Sequence, residues 1–132
     1  MYKVINEIAD KITGYCRVEI QTKEGKFDGF SFCSPNDDFS SFVGIRYAER
    51  RAVAAMCRYK AKLAKVQYNT IKKLKDDFLY NNIEIPRPVK IKLRDYSNDI
   101  FFWLNTASSL EESVYKEDKE RLEILQKYLY KE

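Results

Sequence analysis

Apolar and polar residues alternate along two short runs near the start of the chain. In the first run, CRVEIQT (residues 16–22), the apolar side chains share one face of a strand and the polar ones share the other. The second run, FDGFSFC (residues 27–33), alternates in the same way, and Gly29 inside it indicates a bulge or a close approach by another part of the chain. Because a short turn with a glycine separates the two runs, the pattern predicts a β-hairpin.

From Ser41 onward the apolar positions recur every three or four residues, which is the period of an α-helix. No proline or glycine interrupts the chain from Ile45 to Tyr80, so one long helix is predicted. A helix this long extends beyond the core of a small domain, and we expect its far half to pack on a second helix or on another copy of the chain. Six residues form its predicted inner line: Ala52, Met56, Tyr59, Leu63, Val66 and Thr70.

The segments before and after these elements suggest how the fold begins and how the long helix ends. Ile5, Ile8 and Ile12 have helical spacing and predict a short N-terminal helix that ends at Gly14. After the long helix, Asn81 and Asn82 suit a C-terminal cap. We expect the two prolines that follow to prevent any helix nearby. They are Pro86 and Pro88.

Two further runs, VKIKLRD (residues 89–95) and IFFWLNT (residues 100–106), predict a second β-hairpin. The second of these runs is apolar on both faces, so either both faces are covered or an aromatic patch is exposed. Ser109 and Glu112 have capping-box spacing, and a final helix is predicted from about Leu110 to Tyr130. The predicted fold class is therefore α+β: two β-hairpins, one long central helix and a C-terminal helix, in a single domain over residues 1–132.

Composition narrows the class of protein. The chain has 132 residues, of which 45% are hydrophobic and 33% charged, and no apolar run is long enough to span a bilayer. The N-terminus mixes polar and apolar residues, so we expect no signal peptide and a cytoplasmic location. The three cysteines are widely spaced, which fits reduced thiols, and histidine is absent. Without histidine the commonest general base and metal ligand are missing, so we expect no histidine-dependent nucleophile arrangement and no metal or cofactor.

Asp37 and Asp38 stand immediately before the long helix. Short polar side chains at that position accept hydrogen bonds from the first N–H groups of a helix, and their negative charge suits the positive helix end. The alternative is a metal or acid–base site that these two carboxylates form together with Asp28. Capping is the interpretation that we favour, because nothing else in the sequence supports a catalytic pair.

The long helix is strongly basic. Between Gly44 and Lys75 there are ten basic residues and one acidic residue, Glu49. This imbalance predicts a partner with negative charge: nucleic acid, a phosphorylated ligand or an acidic protein. The acidic C-terminal segment could also neutralise part of this face, within the fold or across a dimer. Four residues define the predicted anionic-partner face: Arg58, Lys62, Lys65 and Lys72.

The segment that joins the first hairpin to the long helix has the pattern C-x-P-x-D-x-F-x4-G-x3-A-x2-R-A, from Cys33 to Ala52. It resembles a motif of small phage and prophage proteins, and it is similar to the strand-to-helix segment of the Thoeris anti-defence proteins. The resemblance covers about 20 residues. It implies a non-catalytic oligomer that sequesters immune signals of the cyclic ADP-ribose type or cyclic oligonucleotides in a bacterial host cell.

The resemblance also implies which residues bind the ligand. Arg51 occupies the position that would contact phosphate, and Ser34 stands where a polar residue would assist. We expect Arg46 or Arg50 to help. A homo-oligomer, a dimer or larger, would form through the long helix.

Two alternatives remain open. The first is an inhibitor of a host Cas nuclease, as anti-CRISPR proteins are, which would use the acidic terminal segment or the aromatic run. The second is direct binding of nucleic acid through the basic helix.

Overall fold

The structure is a computed structural model that describes the backbone of residues 1–33 and 40–129 and the side chains of residues 1–33 and 40–114. The fold is α+β, as predicted, with one long helix in the middle and a second helix at the C-terminal end. The elements in chain order are β1 (Lys3–Ala9), β2 (Tyr15–Thr22), β3 (Gly25–Phe32), α1 (Ser41–Tyr80) and α2 (Arg87–Leu129).

The three strands form one antiparallel sheet in the order β1-β2-β3. The predicted first hairpin is confirmed: β2 and β3 pair without a break from Tyr15 opposite Phe32 to Thr22 opposite Gly25. Gly25 closes the two-residue turn with a φ of 135°, a backbone conformation that side chains with a Cβ rarely adopt. The alternation along residues 16–22 therefore identified the strand and its buried face correctly.

The predicted N-terminal helix is wrong, because residues 3–9 form strand β1 beside β2. A helix of this length is marginal in water, whereas pairing with an existing hairpin satisfies a full row of backbone groups. The pairing shifts register between Val4 and Asn6, which places a bulge at Ile5. Gly14 does not end a helix; it lies in the β1–β2 turn with a φ of 74°, and its carbonyl accepts a hydrogen bond from the Cys33 N–H at 2.8 Å.

Helix α1 packs very closely on the inner face of the sheet. Two glycines allow this approach: a Cβ on Gly29 would collide with the backbone of Ala48 and Ala52, and a Cβ on Gly44 would collide with the Cys16 Sγ. The contact is also polar, because the Ser31 hydroxyl donates to the Gly44 carbonyl at 2.8 Å. The close approach that Gly29 predicted is thus confirmed, and its partner is α1.

The turn after α1 has a well-defined cap. The Asn82 N–H donates to the Leu79 carbonyl at 3.2 Å and the Ile83 N–H to the Phe78 carbonyl at 2.9 Å, which is the hydrogen-bond pattern of a Schellman motif. Asn82 occupies the left-handed region with a φ of 56°. Asparagine tolerates this conformation better than most residues, so the predicted C-terminal cap is confirmed.

The predicted second hairpin is wrong, because residues 87–129 form the single helix α2. The two prolines do not prevent the helix but begin it: the Lys90 N–H donates to the Pro86 carbonyl, and the first turn needs no N–H from Pro88. The capping-box prediction at Ser109 is also wrong, since that residue lies inside α2. The seven-residue alternation fits a strand, but the same segment also has apolar residues at intervals of four and three, which is the period of a helix. These residues are all buried or half-buried in α2: Val89, Leu93, Tyr96, Ile100, Trp103, Ala107, Leu110 and Val114.

Contacts within the chain divide it into two compact units. The first unit, Met1–Met56 with Ala107–Glu132, contains the sheet, and its core includes Cys16, Val18 and Ile20. The second unit, Cys57–Thr106, is a helical hairpin. Whether the whole chain behaves as one domain stays a prediction.

The helical hairpin buries a different line from the predicted one. Its buried apolar residues are Cys57, Ala61, Ala64 and Val89, whereas Leu63 and Val66 are exposed.

Within the described ranges, neither helix combines the length and apolar character that crossing a bilayer requires.

Substituting Gly29 by alanine should destabilise the fold strongly. The added Cβ would meet backbone atoms of α1, which no side-chain rotation can relieve, so the helix must shift. We expect the free energy of unfolding in urea to fall by about 2 kcal/mol or more. The matched control is Lys26→Ala on the same strand, where the side chain is exposed and the change should stay within about 0.5 kcal/mol. Equal stability of the two variants would contradict the close packing.

The Asn82 position offers a second test of the fold. Asn82→Ala should lower the free energy of unfolding by about 1 kcal/mol, because a Cβ without a compensating polar group is strained in the left-handed region. Asn82→Gly should be neutral or stabilising, because glycine adopts this conformation freely. Thermal melts of both variants separate the two cases, and a cap with no role would give the same melting temperature for both.

Candidate functional site

An open cleft of about 410 Å³ lies where α1 begins. Its size falls within the usual range for small-molecule sites, which is roughly 300–1,000 Å³. Most of its lining comes from one face of the first two turns of α1, because residues three and four apart on a helix are neighbours. The lining residues are Glu7, Ser41, Phe42, Ile45, Arg46 and Glu49.

Arg46 and Phe42 form the central pair of this cleft. The Arg46 guanidinium lies 6.0 Å from the centroid of the Phe42 ring, at the outer limit of a cation–π contact. The ring itself is 71% exposed. A guanidinium that stands beside an accessible aromatic face can contact an anion while the ring stacks on a planar group.

The start of α1 adds a positive dipole end to the same region. The Ser40 Oγ accepts a hydrogen bond from the Val43 N–H at 3.4 Å and so serves as the N-cap. The first N–H groups of a helix carry partial positive charge and favour anions nearby. The predicted caps Asp37 and Asp38 lie outside the described residues.

Two carboxylates offset the positive charge of the cleft. Glu7 and Glu49 both line it, and the Tyr2 hydroxyl donates to the Glu49 Oε1 at 2.7 Å. Burial, followed by this hydrogen bond to a carboxylate, raises the pKa of Tyr2 to about 12. The Tyr2 contact demonstrates that Glu49 can hold a hydroxyl donor, so the cleft combines a cation with hydroxyl acceptors.

The structure separates the predicted ligand-binding residues. Arg46 lines the cleft, whereas the Arg50 Nη1 lies 3.5 Å from the Ser113 Oγ on α2. The Arg51 Nη1 donates to the Phe30 carbonyl of β3 at 2.8 Å. Ser34 lies outside the described residues. Among the described members of the set, only Arg46 therefore lines the cleft. Arg50 and Arg51 contact different elements because successive residues of a helix are rotated by about 100° around its axis.

The outer face of the sheet carries an exposed aromatic group. Tyr15, Phe30 and Phe32 contact one another with ring centroids 5.2 to 6.4 Å apart. Phe30 is 54% exposed and Phe32 is 66% exposed. Beside them, Arg17 forms an ion pair with Asp28 at 2.7 Å. Asp28 is thus engaged on the sheet surface, which weakens the hypothesis that it joins Asp37 and Asp38 in an acid–base site.

The predicted anionic-partner face is exposed. Four of its positions lie at the surface of α1: Arg58, Lys62, Lys65 and Lys72. The sequence could not decide whether the acidic segment covers them. Lys60, another basic residue of α1, has its Nζ 4.6 Å from the centroid of the Trp103 ring.

The described residues hold no metal cluster, and the Cys16 and Cys57 thiols are not activated. No group of three or more cysteine, aspartate or glutamate side chains among them could bind a metal ion. Burial raises the pKa of the Cys16 and Cys57 thiols, although a hydrogen bond with Ser31 and the charge of Lys60, respectively, oppose this. Both thiols are therefore protonated and poor nucleophiles at neutral pH.

Phe42, Glu7 and Glu49 were not among the predicted site residues. The N-cap residue Ser40 could have indicated Phe42, since Ser40 marks the start of the first helical turn, to which Phe42 belongs. Glu7 could not be found, because it reaches the cleft only when residues 3–9 form a strand.

The Tyr2–Glu49 contact can be tested by titration. Tyrosinate absorbance measured against pH should include a step near pH 12 from Tyr2, and Tyr2→Phe should remove this step. Glu49→Gln should move the step toward the ordinary value of 10.0, because the neighbouring negative charge is lost. Because burial, and after it the Glu49 hydrogen bond, raises the pKa of Tyr2 in the folded protein, its contribution to stability is fully present below pH 10.0 and is lost as pH rises toward 12. Tyr80→Phe is the control; a late step that survives Tyr2→Phe would contradict the assignment.

Comparison of the chain with protein-family models, with curated proteins and with solved structures finds no match. A functional assignment therefore depends on the residues of this chain and on their contacts.

Proposed function

We propose that this protein binds and sequesters a nucleotide-derived immune signal, without catalysis, as a phage-type anti-defence protein in the cytoplasm of a bacterial host. The observation that carries the proposal is the cleft at the start of α1, where the Arg46 guanidinium stands beside the exposed Phe42 ring. The resemblance points to the same class of function, and residues 40–52, the described end of the resembling segment, include the α1 residues that line the cleft. The phosphate position that the resemblance marks, Arg51, instead donates to the Phe30 carbonyl of β3.

Each part of a nucleotide-derived ligand has a matching group in the cleft. Arg46 and the N-terminal end of α1 would bind a phosphate oxygen, since both favour negative charge. Phe42 would stack on the base. Glu7 and Glu49 would accept hydrogen bonds from ribose hydroxyls, as Glu49 already accepts one from Tyr2.

The charge of the cleft favours one class of ligand over another. Two carboxylates stand against one guanidinium, so a ligand with many phosphates would meet net repulsion. A cyclic ADP-ribose-type molecule carries few phosphates and many hydroxyls. We therefore favour this class over cyclic oligonucleotides of three or more units.

Calorimetry with cyclic ADP-ribose isomers and cyclic di- and trinucleotides tests the proposal. We expect one cyclic ADP-ribose isomer to bind, and Arg46→Ala to weaken its binding by at least about tenfold, the usual contribution of a hydrogen bond to a charged group. Lys11→Ala is the matched control, because Lys11 is an exposed cation in the β1–β2 turn and does not line the cleft.

Two results would count against this proposal in different ways. If none of these ligands binds the unaltered chain, the proposed function is wrong. If a ligand binds and Arg51→Ala abolishes binding while Arg46→Ala does not, the function stands, but the site lies at β3 rather than in the cleft.

A further inference from the structure

Helix α1 carries an apolar line that the described structure leaves exposed. The helix face that packs on the sheet through Ala48 and Ala52 continues along α1 at intervals of three and four residues. We call this continuation the apolar seam, formed by Tyr59, Leu63 and Val66, which are 38%, 40% and 58% exposed. Such spacing is the pattern by which one helix packs on another.

The next position of the same line is compatible with an apolar contact. Thr70 donates its hydroxyl to the Val66 carbonyl at 3.0 Å, so the hydroxyl is satisfied within the helix. Its methyl group can then face a partner without leaving a polar group unpaired. The seam therefore extends over about three helical turns.

A row of exposed cations borders this seam on one side. Lys62 directly precedes Leu63, and Lys65 directly precedes Val66, so both lie on the same side of the line. Arg58 and Lys72 extend this row, which we call the cationic flank, and all four residues are exposed. Glu49 is the one acidic residue between Gly44 and Lys75, and it lines the cleft.

We propose that the apolar seam and the cationic flank together form a docking site for an acidic amphipathic helix of a partner protein. An apolar stripe on the partner would cover Leu63 and Val66, and acidic residues beside that stripe would face Lys62 and Lys65. Charge complementarity selects this partner, because the flank is basic along its whole length. The site is independent of the proposed ligand cleft and shares no residue with it.

Two other possible occupants, a second copy of the chain and nucleic acid, fit the surface less well. A second copy packed antiparallel on the seam would bring like-charged flanks together, which costs affinity. Nucleic acid would contact the cationic flank through its phosphates but would leave the exposed apolar side chains in water. The acidic helix alone satisfies both halves of the surface.

A synthetic peptide tests the site on the full chain. The probe is a labelled helical peptide of about four heptads with leucine at the core positions and glutamate at the flanking positions. A matched peptide carries lysine instead of glutamate. By fluorescence anisotropy we expect the acidic peptide to bind and the basic peptide to bind at least about tenfold more weakly.

Paired variants locate the contact. Leu63→Gln with Val66→Gln should weaken binding of the acidic peptide by at least about tenfold, through loss of apolar contact. Lys62→Gln with Lys65→Gln should weaken it by about three- to tenfold at low salt and by less at high salt. The control pair is Lys90→Gln with Lys92→Gln, exposed cations on α2, and circular dichroism should show the same helix content in all variants.

Five outcomes would overturn the proposal. Three are no binding of the acidic peptide, equal binding of the two peptides, and retained binding in the Leu63 and Val66 variant. The other two identify a different occupant. If light scattering shows a dimer that this variant converts to monomer, the seam binds a second copy. If a DNA duplex displaces the acidic peptide and its own binding survives the same variant, the flank binds nucleic acid.

Discussion

The contact on which the fold depends is the close approach of α1 to the inner face of β2 and β3. It exists because Gly29 and Gly44 have no Cβ, so backbone from the helix and backbone from the strand can lie against each other. The Ser31 hydroxyl then bonds to the Gly44 carbonyl across the same interface. A small, tightly packed contact of this kind fixes the position of the helix more sharply than an interface of long side chains, which can repack.

The cleft at the start of α1 follows from this fixed position. Because Gly44 is held against Cys16, the first turns of the helix lie beside β1, and their outward residues form the cleft with Glu7. Farther along the same helix, Leu63 and Val66 are exposed. One helix therefore presents polar chemistry at its start and an apolar line later in its course.

The sequence predicted the elements whose pattern has one interpretation. The alternation in residues 16–22 matched both the strand and its buried face, because burial and the local backbone preference agree there. The uninterrupted helical spacing after Ser41 predicted the helix itself, but not its buried line beyond Met56, since Leu63 and Val66 are exposed. The C-terminal cap at Asn82 and the close approach at Gly29 were also predictable, since each depends on a local backbone requirement.

The prediction for residues 89–106 was wrong because alternating Val, Lys, Ile and Leu fits a strand over seven positions, while the helical line from Val89 through Ile100 to Val114 becomes evident only over a longer window. The helix prediction for residues 3–9 failed for a related reason. Pairing with the edge of β2, rather than the spacing of their own apolar residues, determines their conformation. The cleft was only partly predictable, because Arg46 was identified from the motif region whereas Glu7 depends on that same strand.

The two outer strands of the sheet have their own consequence for how the protein behaves at high concentration. An exposed strand edge is a template for adding further strands from other molecules, which leads to fibrils. Here the β1 edge is interrupted by its bulge near Ile5, and the β3 edge has its Phe30 carbonyl occupied by the Arg51 guanidinium. Each interruption breaks the regular row of backbone groups that an incoming strand requires. The small sheet is thereby protected against edge-to-edge aggregation, although its outer face carries exposed phenylalanines.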